Sequence, residues 1–155
     1  MQDVKLEGMD EVQRLLKNIG KRTDDTRALT GEISNTLYNV TMESFASQSS
    51  PANTPWQRLS PATLHRKKHK GKILYESGQL HRRIYHTHDD TTATVGVNLP
   101  YAAIHQFGGM AGRGGRVHIP KRPYLPLQES GDLYPKAWEE IAFVLEAFAE
   151  SLDTV

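Results

Sequence analysis

Apolar residues recur at helical spacing in three stretches of this chain, and each repeat predicts one helix. Met9, Val12, Leu16 and Ile19 advance in steps of three and four, so they share one helical face, and Gly20 follows as a terminator. Leu29, Ile33, Leu37, Val40 and Phe45 repeat that spacing in a second helix, capped by Asp24 or Asp25 and running to about Ser47. Near the end, Pro135 suits the first helical position, and Trp138, Ile141, Leu145, Phe148 and Leu152 line one face behind it. This last helix is the strongest periodic signal.

Between these helices the pattern changes. Ser49, Ser50, Pro51, Asn53, Pro55 and Pro61 cannot continue a helix, because proline lacks the donor and restricts the residue before it, so 48–62 reads as an extended loop. Trp56 in that loop serves either as an anchor to the core or as an interface anchor. The tract TLHRKKHKGK at 63–72 has hardly any apolar face and reads as a solvated basic segment. Residues 73–85 then read as a helix, with Leu80 and Ile84 at helical spacing and Ser77 as cap, and the β-branched run 91–97 as a strand. The GGMAGRGGR stretch, 108–116, is too glycine-rich to form regular structure by itself and is expected to be a mobile arm. Val117 to Ile119 can form a short strand, and Pro120, Pro123 and Pro126 confine it to an edge or an irregular connection. The sum is one α+β domain over 1–155, with a helical lead-in (1–47), a loop (48–72), a helix-strand core (73–107), the glycine-rich arm and the C-terminal helix (134–152). Its small sheet is expected to pack against long N- and C-terminal helices, with extended mobile loops. No internal repeat is evident, which removes solenoid and propeller readings.

Composition changes this picture little, but charge sharpens it. A chain of 155 residues with 37% hydrophobic residues can bury roughly two thirds of its unfolded surface, so a folded core is expected. The absence of cysteine excludes disulfides and thiolate metal sites, and suits folding in a reducing cytoplasm. No segment approaches the ~20 apolar residues of a membrane span, and 1–6 lack a basic start with an apolar run, so a soluble, untargeted chain is expected. The net charge is only +1. Its distribution is uneven: lysine and arginine against aspartate and glutamate number 6 and 8 in residues 1–50, 12 and 3 in 51–125, and 1 and 7 in 126–155. Such segregation is either neutralised within one monomer or forms complementary patches on neighbouring copies.

Candidate chemistry is sparse. His86 and His88, two apart and followed by Asp89, would share a strand face as some metal ligands do, although a polar turn gives the same letters. His105, beside Gln106 and among Tyr101, Ile104 and Phe107, reads as a partly buried, hydrogen-bonded structural histidine rather than a general base. Paired acids such as Asp24 with Asp25 and Glu139 with Glu140 suit helix capping and a solvated helix face. No nucleophile elbow, phosphate loop, zinc-protease helix or dinucleotide fingerprint is present. Neither a catalytic residue, a metal nor a cofactor is expected. Nucleic acid is the more serious rival partner: Arg66, Lys67, Lys68, Lys70 and Lys72, with Arg82, Arg83, Arg113 and Arg116, can meet phosphates without reading bases. No base-reading motif accompanies them.

Four segments stand in order along the chain: Pro55-Trp56 with Leu59; Ile73 through Leu80 with Ile84; Val95-Gly96-Val97 leading to Tyr101-Ala102-Ala103-Ile104-His105-Gln106-Phe107-Gly108-Gly109; and Ile119-Pro120-Lys121-Arg122-Pro123-Tyr124-Leu125. Together they resemble the phage virion morphogenesis family, which includes tail completion proteins of Mu-like and related phages. They cover about 55–127. Lys121 stands where the family pattern usually has a small residue. The resemblance implies a small α+β virion protein acting late in morphogenesis in the tail or neck, assembled in the host bacterial cytoplasm. It further implies a homo-oligomeric ring, six-fold in symmetry, at the head-proximal end of the tail, where it helps head-tail joining beside other neck and tail proteins. A tail terminator or head-side connector is the alternative. Trp56, Tyr101, His105, Gln106, Phe107, Arg113, Arg116, Arg122 and Tyr124 are the expected assembly contacts, and the basic tract 66–72 is the candidate for incidental contact with DNA in the lumen.

Overall fold

The computed structural model describes residues 9–67 and 72–154. Lys68 and Lys70 of the basic tract, and the reading of 1–6, lie outside the described residues.

Helix α1 (Met9–Gly20) buries Val12, Leu15 and Ile19, whereas Leu16 remains 44% exposed. The spacing rule admits Leu15 and Leu16 equally, on either flank of the stripe. The side from which a partner helix approaches decides between them. Helix α2 (Arg27–Ser47) ends where the sequence predicts, but neither Asp24 nor Asp25 caps it. Its N-cap is Thr26, whose hydroxyl instead donates to the carbonyl of Asp90 at 2.6 Å. Thr30 likewise donates to the Asp89 carbonyl, and Arg27 pairs with Asp90 at 3.0 Å. The helix start is therefore held by a distant turn rather than by its own cap.

Helix α6 (Pro135–Asp153) opens on Pro135 as expected. It packs with α1 and α2 around Val12, Leu15, Leu29, Leu37, Ile141 and Leu145. A second core joins Phe45, Trp56, Leu80, Ile84, Ala102 and Tyr124. Helix α2 touches both cores, because it packs α6 on one side and a β-hairpin on the other. That double duty explains its buried Ser34, Thr41 and Ser44: small polar side chains permit close approach, and each hydroxyl finds a carbonyl of its own helix.

The middle of the chain departs most from the sequence reading. Ser60 caps a short helix α3 (Pro61–Arg66), its side chain accepting from the Thr63 N–H, where a structureless basic segment is expected. The helix read over 73–85 shrinks to one turn, α4 (Gln79–Arg82), with Gly78 at the N-cap position and the Ser77 hydroxyl accepting the Gln79 N–H at 3.3 Å. Ile84 instead opens strand β1 (Ile84–His88), which pairs antiparallel with β2 (Ala93–Val97) in the register Ile84 to Val97. Pairing with β2 overrides the local helical spacing of Leu80 and Ile84. After α5 (Ala102–Phe107), the expected mobile arm forms a hairpin, β3 (Gly109–Ala111) with β4 (Val117–Ile119), joined by a 3-10 turn at Arg113–Gly115. Five glycines between 108 and 115 adopt positive φ, and these conformations make the tight ribbon possible. There are thus two separate two-stranded sheets among the described residues rather than one.

Candidate assembly surface

The residues that carry the family resemblance gather around one buried hub. Trp56 is 4% exposed, and its indole N–H donates to the Pro123 carbonyl at 2.7 Å. Gln106 on α5 accepts the N–H groups of Tyr124 and Leu125 with Oε1, at 3.0 and 2.9 Å, and donates through Nε2 to the Leu127 carbonyl at 2.9 Å. Buried Arg122 donates through Nε to the Gln57 carbonyl at 2.9 Å, and its own N–H donates to the His105 carbonyl at 2.8 Å. The IPKRPYL segment therefore clips the proline-rich loop and α5 together, and proline-broken backbone is satisfied by side chains where no ladder can do so. Burial pushes the Tyr124 hydroxyl well above its usual range, and that hydroxyl donates to the Ala102 carbonyl at 2.7 Å.

Of the nine expected assembly contacts, Trp56, Gln106, Arg122 and Tyr124 are committed to this interior. Tyr101 and Phe107 are 40% and 39% exposed, and Arg113 and Arg116 stand free on the hairpin. His105 is half-buried; burial and, after it, the nearby Arg122 charge hold its pKa below the usual value. Its Nδ1 is buried with no hydrogen-bond partner among the described residues, which corrects the expectation of a hydrogen-bonded side chain.

The basic tract divides in the same way. Lys67 is only 9% exposed and turns inward, its ammonium donating to the Lys72 carbonyl. Burial lowers its pKa, Glu76 opposes that and Arg122 adds to it. Lys67, Arg122 and His105 line a cleft of about 260 Å³ together with Tyr75 and Tyr101. Arg66 and Lys72 remain exposed, with the Lys72 ammonium 5.1 Å from the Tyr75 ring centroid.

His86 and His88 do share a strand face, but it lies on α2. The His86 ring sits 4.8 Å from that of Tyr38, with Nδ1 3.3 Å from the Ser34 hydroxyl, and His88 covers Gly31. Asp89 shapes the β1–β2 turn: hydrogen bonds from Thr92 and Thr91 hold its carboxylate at about 2. No group of three potential metal ligands exists among the described residues. Nor is any described helix long and apolar enough to cross a membrane.

The sequence reading misses one surface feature. Glu139, Phe143, Glu146 and Glu150 are all exposed on the outer side of α6, with Phe143 71% exposed. Phe143 falls off the periodic apolar face of that helix, and this mismatch is a signal the letters already hold.

Over 135 residues the chain is 33% identical to the Mu-like prophage FluMu G protein 2 of Haemophilus influenzae, covering 86% of this chain and 91% of that protein. It is 32% identical over 127 residues to the putative capsid assembly protein G of Escherichia phage Mu, covering 78% and 81% respectively. No solved structure matches. A model of the phage virion morphogenesis family matches residues 8–141, a span that contains the whole buried hub and the hairpin, and the chain belongs to that family.

Proposed function

We propose that this chain is a structural virion protein, a tail completion or neck component that forms a homo-oligomeric ring, hexameric in symmetry, at the head-proximal end of the tail and helps head-tail joining. Family membership is the observation that carries this reading. The surface supports it: segregated charge, an outstanding ribbon and exposed aromatic side chains are features of a subunit that buries surface on meeting neighbours. The role is assembly rather than catalysis. Exposed Arg66 and Lys72 leave room for incidental phosphate contact in a lumen, without base recognition.

A second reading, a head-side connector, is favoured by the name of the phage Mu relative, which is called a putative capsid assembly protein. One experiment separates the two. The purified chain is mixed with isolated tails or with isolated heads, and bound mass is followed by sedimentation. Association with tails supports the completion reading, and association with heads alone supports the connector. Binding to neither, together with DNA affinity that falls steeply with salt, overturns both in favour of a nucleic-acid-binding module.

A further inference from the structure

Among the described residues the β3–β4 hairpin has no third strand on either edge, and an isolated two-stranded ribbon is marginal in water. Its two faces are both open. Met110 pairs with His118 and Ala111 with Val117, so Met110 and Val117 project to opposite faces, at 56% and 53% exposure. Arg113 and Arg116 stand at the tip with no ion-pair partner among the described residues. Residues 91–128 contain no acidic side chain at all, so the ribbon is uniformly positive.

The outer side of α6 is its complement. Glu139, Phe143, Glu146 and Glu150 follow one another at steps of four, three and four, which sets them on one stripe with an aromatic ring among carboxylates. None of these three glutamates has an ion-pair partner among the described residues, and the helix's own Lys136 is taken by Glu43 at 2.6 Å.

We infer that the β3–β4 ribbon of one copy docks one of its faces on the outer stripe of α6 of the next, its arginines against the glutamates and the apolar side chain of that face, Met110 or Val117, over Phe143. This rests on the homo-oligomer reading above and names its contact. The two patches differ, so the contact is heterologous: each copy offers a ribbon to one neighbour and a stripe to the other, and a ring results where the rotation closes. The charges set register and suppress wrong pairings, while the apolar centre supplies most of the burial.

The test uses two variants, both changed only at exposed positions: Arg113→Glu with Arg116→Glu, and Glu146→Arg with Glu150→Arg. Mass is measured by light scattering, alone and with isolated tails, and folding is checked by circular dichroism. The unaltered chain is expected to assemble, and each variant alone to fall to the mass of a single chain, because like charges face each other. An equimolar mixture is expected to regain the assembled mass, since alternating the two variants makes every contact complementary again. Phe143→Glu, as a third and independent variant, is expected to raise the concentration needed for assembly at least tenfold. If both charge variants assemble as the unaltered chain does, or if two folded variants stay single when mixed, or if Phe143→Glu has no effect, the ring contact lies elsewhere and this inference fails while the ring reading stands. An unaltered chain that stays single both alone and with tails overturns the two together.

Discussion

The side-chain carbonyl of Gln106 accepts the backbone N–H of Tyr124 at 3.0 Å, and Tyr124 returns its hydroxyl to the Ala102 carbonyl one turn earlier on the same helix. This reciprocal pair fastens α5 to the IPKRPYL segment and closes the second core. Replacing Gln106 with leucine strands the buried N–H donor of Tyr124 and the part-buried one of Leu125, and is expected to lower stability by about 2 kcal/mol or more, read from the urea midpoint. An unchanged midpoint would show that water takes over both donors.

The two tryptophans should respond in opposite ways to loss of the indole nitrogen. Trp56→Phe removes the 2.7 Å bond to Pro123 and should cost about 1–3 kcal/mol. Trp138 Nε1 is buried without a partner among the described residues, so Trp138→Phe is expected to be neutral or slightly stabilising. Denaturant unfolding of both variants side by side checks the contrast.

Gly108 has φ 73° and ψ 178°, a region open essentially to glycine, and a Cβ there would stand 2.8 Å from the Lys121 nitrogen. Gly108→Ala should therefore cost about 1–3 kcal/mol. Gly115, also at positive φ but with open space around it, should tolerate alanine better. Thermal unfolding of the pair distinguishes backbone strain from steric overlap.

His105 gives the fold a pH dependence of known sign. Its folded pKa is held below the unfolded value of 6.5, first by burial and then by Arg122, so the unfolded chain binds the extra proton. Its contribution is fully present above about pH 6.5 and is lost as pH falls through the folded pKa. His105→Phe should leave the urea midpoint near pH 8 little changed and flatten its decline towards acid. Equal slopes in both proteins would assign the decline to other groups.

Deleting residues 110–115 should leave both cores intact, because the strands of this hairpin pack chiefly on each other. The expected product is a folded chain that does not complete particles, measured by circular dichroism and by in vitro head-tail joining. Loss of cooperative unfolding would instead make the ribbon part of the core.

The sequence by itself determined the three long helices and most of their inner faces, since helical periodicity is written locally in the side chains. It determined the family too, through short ordered segments that turn out to be the backbone clips of the hub: Trp56, Gln106, Arg122 and Tyr124 are distinctive because irregular chain must be satisfied by particular side chains. Tertiary structure alone decided the rest. Ile84 reads as helix until a strand from 93–97 pairs with it, and GGMAGRGGR reads as a mobile arm until its positive-φ glycines close a ribbon. Whether Leu15 or Leu16 is inside, and whether Lys67 faces water or the core, depends on where other elements approach. Those are long-range contacts, and no local pattern encodes the direction from which they arrive.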